Sequence, residues 1–240
     1  DLNQEQKRLV EVTYRDFIRG GANLSAADKA TLGEINKELS VLGLQFEENL
    51  LKEVNKFELV IDNETDLAGL PAAAVTAAAE EAKQRGHAGK WVFTLHKPSM
   101  VPFLQYAENR DLREKIYRAY TNRCDNADSL DNKGIVLRIV NLRSERAHLL
   151  GYKTHADFAL EKAMAKDPAT VYDFLGKLWK PGLARAGREA ASFQKMIDRE
   201  KKGVKLASWD WWYYAEKVRK AQYDLDDEML RPYFELENVR

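Results

Sequence analysis

His87, His96, His148 and His155 are the four imidazoles of the chain, and the first chemistry they could do is to hold a metal. A zinc site on one helix needs two imidazoles a turn apart, as in His-Glu-x-x-His. No pair here has that spacing. His148 and His155 stand seven positions apart, but Gly151 interrupts the helix between them. Both therefore read as structural or exposed rather than as ligands. Cys124 has Arg123 beside it, which would lower a thiol pKa, yet Asp125 opposes the effect and no histidine is near in sequence. A bystander thiol is the better reading. The carboxylates are abundant, and most fit i,i+4 pairs with lysine or arginine on wet helix faces, not a desolvated acid–base pair. Gly20-Gly21 and Gly86-His-Ala-Gly89 lack phosphate-loop spacing and read as helix ends. Lys133, Arg138, Arg143 and Arg146 give one helix a basic cluster, read as a solvated face. On this reading no residue is assigned a catalytic or metal-binding role, and substrate-binding residues are left unassigned.

The least ordinary chemistry is aromatic. Trp209-Asp-Trp-Trp-Tyr-Tyr214 places three of the five tryptophans within four residues. On a helix over 209–223, capped by Ser208, Trp209, Trp212 and Tyr213 share one side and Trp211 and Tyr214 a neighbouring one. Such a helix is apolar over more than half its circumference. It either packs in a core or lines an interface or groove that grips peptide or sugar. Core packing is favoured, with the aromatic surface read as half of an interface to a lobe outside the chain.

The elements that would position these residues are mostly helices. Residues 4–20 carry Leu9, Val10, Tyr14, Phe17 and Ile18 on one side and stop at Gly20-Gly21. Ser25-Ala-Ala-Asp28 has capping-box spacing and opens a long helix striped by Leu32, Ile35, Leu39, Leu42 and Phe46, a stripe that must bury. Strands are expected at about 57–61 and 90–95, bracketing an alanine-rich helix over 71–85 opened by Pro71 and closed by Gly86. Pro98 and Pro102 mark a turn into a short helix. A charged amphipathic helix follows over 110–123, with Leu112, Ile116, Tyr117 and Tyr120 inward. The stretch 125–132 is loop-like and is the place for a sub-boundary. Residues 133–150 form a helix with Ile135, Ile139, Leu142 and Leu149 on its apolar side. Thr154-His-Ala-Asp157 repeats the capping-box spacing, and Asp167-Pro168 opens a long helix to about 200, ended by Lys201-Lys-Gly203. Pro181 predicts a kink or break at 180–182. The fold class is mainly α, a bundle-like lobe of long helices with a small two-stranded β element, read as one contiguous unit.

Bulk properties limit the function classes. Lysine plus arginine equals aspartate plus glutamate, 38 each, which argues against nucleic acid or an anionic membrane as the main partner. No stretch approaches the ~20 apolar residues of a membrane span. One cysteine allows no disulfide within the chain and no cysteine-based zinc site, and fits a reducing cytosol or a disulfide-free periplasmic protein equally.

Read together, certain strings resemble a known family. Trp209-Asp-Trp-Trp-Tyr-Tyr-Ala-Glu-Lys-Val-Arg219 and Arg231-Pro-Tyr-Phe-Glu-Leu-Glu-Asn-Val-Arg240 are similar to the zinc metallopeptidases of the thimet oligopeptidase group, in the bacterial peptidyl-dipeptidase branch, with oligopeptidase A as its neighbour. Tyr14-Arg-Asp-Phe-Ile-Arg-Gly-Gly-Ala22, Leu67-Ala-Gly-Leu-Pro71, Glu108-Asn-Arg-Asp-Leu-Arg113 and Leu142-Arg-Ser-Glu-Arg-Ala-His-Leu-Leu-Gly-Tyr152 follow the same family's order. The resemblance covers essentially the whole chain. It implies a two-lobed helical peptidase with a deep channel that admits short peptides, and zinc held by His-Glu-x-x-His and a downstream glutamate. Those residues would lie beyond Arg240, so none is carried over, and no zinc is expected in this chain. The implied part is a central, noncatalytic fragment, 1–240, that forms a channel wall and is inactive alone. Its partners would be peptide substrates and the catalytic lobe of the same protein, in the bacterial cytoplasm or periplasm. The alternative reading is a stand-alone helical protein-interaction module.

Overall fold

The computed structural model describes residues 2–200, 203–223, 231–234 and 237. The architecture is mainly α with one small antiparallel sheet. The helices are α1 (Gln4–Arg19), α2 (Ala26–Lys56), α3 (Ala72–Gln84), α4 (Lys97–Tyr106), α5 (Arg110–Thr121), α6 (Lys133–Leu149), α7 (His155–Leu160), α8 (Pro168–Glu200) and α9 (Trp211–Tyr223). The strands β1 (Leu59–Ile61) and β2 (Trp91–Phe93) pair with Leu59 opposite Phe93 and Ile61 opposite Trp91. The end of the long helix at Lys201-Lys202 and half of the closing Arg231–Arg240 motif lie outside the described residues.

Helix starts follow the local chemistry of the sequence. Ser25 Oγ accepts the Asp28 amide at 3.1 Å and donates to the Asp28 carboxylate at 2.8 Å. Thr154 and Asp157 make the same reciprocal arrangement at 3.2 and 2.7 Å. Asp167 accepts the Thr170 amide at 2.8 Å, capping α8 ahead of Pro168. The expected kink or break at 180–182 is not a break, since α8 runs through Pro181. One proline removes one amide donor, and the helix former sequence on both sides carries the remaining bonds.

Contacts divide the chain into two compact units, each built from two stretches of sequence. Unit 1 takes residues 1–51 and 124–180, and unit 2 takes residues 52–123 and 181–240. Unit 2 holds the apolar core. Leu59, Ile61, Phe93, Phe103, Leu104 and Ile116 are among its buried members, so both strands and helices α3, α4 and α5 share one interior. A second cluster in the same unit joins Phe193 and Ile197 of α8 to Tyr214 of α9. In unit 1, Leu32 and Ile35 of α2 are buried together with Leu142 and Ala147 of α6. The rest of the α2 stripe, Leu39, Leu42 and Phe46, is only half-buried. Polar bonds complete the pairing of α2 with α6, as Arg138 grips Glu38 through two bonds of 2.7 Å and Asn132 donates to the Phe46 carbonyl at 3.1 Å.

Candidate functional site

The most organised polar constellation lies in unit 2, where α5 meets the short 3-10 turn Ser208–Asp210 that precedes α9. Asn109 caps α5 by accepting the Asp111 and Leu112 amides at 3.1 Å, and its own amide donates to Asp66 at 2.8 Å. This start places Arg110 and Arg113 three residues apart on one helix face. Both reach Asp210. Arg110 donates through Nε at 3.0 and 3.1 Å and through Nη2 at 2.8 Å, and Arg113 donates through Nη2 at 2.9 Å. Arg113 also ties down the end of α4, donating to the Ala107 carbonyl at 2.6 Å and the Glu108 carbonyl at 3.2 Å. Burial of Asp210 opposes its ionisation. The bonds from both arginines and from the Ala207 amide outweigh that burial and hold its carboxyl below the usual carboxylate range. Asp210 in turn raises the Arg110 pKa.

The aromatic run wraps this joint. The Arg113 guanidinium carbon sits 4.0 Å from the Tyr213 ring centre, and Arg110 and Arg118 approach the Trp209 ring at 5.4 and 4.9 Å. Trp211 meets Phe193 edge-on at 4.9 Å. Tyr214 is buried, and that burial, reinforced by the Glu200 carboxylate, pushes its hydroxyl up to about 12. Two expectations change here. Trp209 belongs to the 3-10 turn rather than to the helix, so it does not form one helix face with Trp212 and Tyr213. Ser208 is not the cap either. The Asp210 carboxylate takes the Ala207 amide at 3.0 Å, a stronger acceptor at the same turn. The run is therefore largely internal to unit 2. Trp212, 41% exposed, is its one exposed aromatic.

The four histidines are dispersed into separate structural roles. His87 Nε2 lies 2.9 Å from Glu58, which Arg85 also bonds. His96 stands at the N-cap of α4. His148 Nε2 lies 3.0 Å from the Lys153 carbonyl at the α6 end. His155 is half-buried near Arg143 and Arg146, and burial first, then both cations, lower its pKa. Among the described residues no three of His, Cys, Asp and Glu converge as a metal-binding group. Cys124 is buried at a left-handed backbone position and its carbonyl accepts the Asn132 amide at 2.9 Å, while Arg123 is turned onto the Tyr120 ring at 3.7 Å. The basic cluster of α6 is largely paired, with Arg138 on Glu38 and Glu145, Arg146 on Asn36, and Lys133 between Asp125 and Asp131.

The joint and the aromatic run fall inside residues 103–240, which match the model of peptidase family M3. The chain belongs to that family. M3 relatives match along nearly all of it. The dipeptidyl carboxypeptidase of Escherichia coli is 37% identical over 238 residues, covering 99% of this chain and 35% of that protein. Oligopeptidase A of Haemophilus influenzae is 39% identical over 238 residues, covering 98% and 35%. A probable cytosolic oligopeptidase A of Arabidopsis thaliana is 36% identical over 251 residues, covering 99% and 35%. The chain thus spans about a third of the length of these curated M3 relatives. Among the described residues no helix is long and apolar enough to cross a membrane.

The sequence reading singled out the aromatics but missed the acid among them. Asp210 is a carboxylate flanked by tryptophans, and Arg110 and Arg113 stand at i,i+3 just after a capping asparagine. A charge inside an aromatic run must be paired if buried, and that was the available signal.

Proposed function

We propose that this chain is a helical, noncatalytic part of a zinc-dependent M3 peptidase that hydrolyses short peptides and releases C-terminal dipeptides. The observation that carries the reading is the M3 match over 103–240, joined by the likeness to proteins named dipeptidyl carboxypeptidase and oligopeptidase A. Zinc would polarise the scissile carbonyl and activate water when bound, held by residues outside these 240. The part played by this chain is to form one wall of the channel that admits peptide and to brace the catalytic lobe. The Arg110–Asp210–Arg113 joint suits that part, because it locks α9 to α4 and α5 with bonds that a rigid wall needs. The placement proposed is a bacterial cytoplasm or periplasm.

The test is metal analysis and peptide turnover of the 240-residue chain. The expected result is no stoichiometric zinc and no chelator-sensitive hydrolysis. Either one in a homogeneous preparation would overturn the reading. The exposed apolar faces of α1 and α8 favour a second reading, a stand-alone interaction module. A reading frame that continues beyond Arg240 into His-Glu-x-x-His supports the peptidase part, whereas a stop codon there supports the module.

A further inference from the structure

Lys133, Arg138, Arg143 and Arg146 are the lysine and arginine residues of α6, and carboxylates neutralise only the first two. Lys133 lies between Asp125 and Asp131, and Arg138 pairs with Glu38 and Glu145. Arg143 and Arg146, three residues apart and so neighbours on the helix surface, form no ion pair among the described residues. Arg146 donates through Nη1 to the side chain of Asn36 at 3.2 Å, a partner without charge.

A third nitrogen base joins this pair where α7 packs on α6. The His155 ring lies 6.2 Å from the Phe158 ring, and the Arg146 guanidinium stands 5.4 Å from the same ring. Phe158 thus gathers the imidazole and the guanidinium. His155 Nδ1 and Arg146 Nε are both buried and have no hydrogen-bond partner, an arrangement rare in folded proteins. The cluster opens to solvent on the Arg143 side, since Arg143 is exposed while Arg146 and His155 are half-buried. The neighbouring carboxylates are engaged elsewhere. Asp157 caps α7 with Thr154, Glu161 is held by Arg19 and Tyr152, and Glu145 is held by Arg138. From α1, Arg19 lies on Phe158 at 4.2 Å but is tied to Glu161. The charges that bear on His155 are those of Arg143 and Arg146, and both oppose its protonation. Grouping like charges in this way costs the fold stability.

We propose that Arg143, Arg146 and His155 form an oxyanion site on unit 1 that takes a phosphate group, free or as a monoester. Two guanidiniums and an imidazolium suit a dianion better than a single carboxylate, and N–H groups on all three residues can donate to its oxygens. The anion supplies the negative charge that the cluster lacks. Binding and protonation are then coupled. An anion that prefers the charged imidazole raises the His155 pKa, and protonation of His155 tightens the anion by the same factor. The site stands whether or not the chain serves a peptidase.

The test is a titration of the 240-residue chain with inorganic phosphate, sulfate and O-phosphoserine at constant ionic strength, followed through the ring resonances of its four histidines. His155→Gln identifies the His155 signal by its loss. Phosphate is expected to move that signal saturably, to leave those of His87 and His96 in place, and to raise the His155 pKa. Sulfate keeps its charge between about pH 5 and 8, so its tighter binding at the acid end isolates the imidazole, and His155→Gln should remove that dependence. Equal affinity for O-phosphoserine assigns the site to monoesters, and binding of inorganic phosphate alone assigns it to the free ion; either result supports the site. The double variant Arg143→Gln, Arg146→Gln should weaken phosphate at least about tenfold, and Arg143→Lys, Arg146→Lys, which keeps the charge, should lose less. Should the glutamine variant not fold, the sulfate pH dependence and its loss in His155→Gln decide the matter. The same difference between wild type and the glutamine variant is expected by calorimetry in a chimaera in which this chain replaces the aligned 238 residues of the E. coli dipeptidyl carboxypeptidase. An unmoved His155 signal, or equal phosphate affinity in the folded glutamine variant, would overturn the proposal. So would equal binding by the two chimaeras, since the added polypeptide would then fill the site.

Discussion

Arg113 and Asp210, ninety-seven positions apart, share a bond of 2.9 Å with 2% and 1% of their side chains exposed. An ion pair this deep does little for stability against an apolar pair of the same volume, but losing one partner strands the other charge. Asp210→Ala is therefore expected to cost unit 2 about 3–5 kcal/mol, whereas Arg113→Met with Asp210→Leu should recover part of that loss. Urea unfolding of both variants measures it. The pH dependence follows from direction. The folded Asp210 pKa lies below its unfolded value, so its stabilisation is complete above about pH 4 and is lost as pH falls through the folded pKa. The acid limb of the stability profile should flatten in Asp210→Asn.

His155 behaves oppositely in range though not in sign. Burial, with Arg143 and Arg146 near, lowers its pKa, so the unfolded chain binds the proton more readily. Stability should fall as pH drops from about 7 to 5, through the ordinary histidine range. Thermal melts of wild type and His155→Gln at both pH values check this, with a smaller difference expected in the variant.

Gly69 carries a strict backbone demand. Its φ is +85°, and a Cβ there would stand 2.3 Å from the Tyr106 carbonyl oxygen. The next strand of contact is a backbone bond, the Glu108 amide to the Ala68 carbonyl at 2.9 Å. Gly69→Ala should destabilise unit 2 by at least about 2 kcal/mol, read as a lower denaturant midpoint.

Trp211 and Trp212 are neighbours with different expected effects. Trp211 packs on Phe193, so Trp211→Ala should lower stability by about 3 kcal/mol or more. Trp212 is exposed. On the proposed peptide-channel role, Trp212→Ala in a chimaera in which this chain replaces the aligned 238 residues of the E. coli dipeptidyl carboxypeptidase should raise KM with little change in melting temperature, and unchanged kinetics in a folded variant would contradict that role.

Much of the fold was legible because local chemistry decides helix ends. Ser25, Thr154, Asp167 and Gly151 each mark a boundary where the sequence placed it. The strands shrank to three residues each because pairing, not β propensity, sets their length. Long-range pairing was not legible. Nothing local joins Arg113 to Asp210 or Arg19 to Glu161, and the buried guanidinium of Arg113 looked like one more surface charge on an amphipathic helix. The same limit applied to the stripes. A period of three and four says that a face seeks cover but not whether the cover is in the chain, so Ile116 and Phe17 looked alike and only one is buried.

The central claim is that these residues serve an M3 peptidase as a noncatalytic wall. The most direct measurement is hydrolysis of a short peptide with a free C-terminus by the chimaera in which this chain replaces the aligned 238 residues of the E. coli dipeptidyl carboxypeptidase, beside the 240-residue chain alone. The expected result is chelator-sensitive release of dipeptides by the chimaera and none by the chain. A folded, zinc-loaded chimaera without turnover, or a chain that cleaves peptide by itself, would contradict the claim.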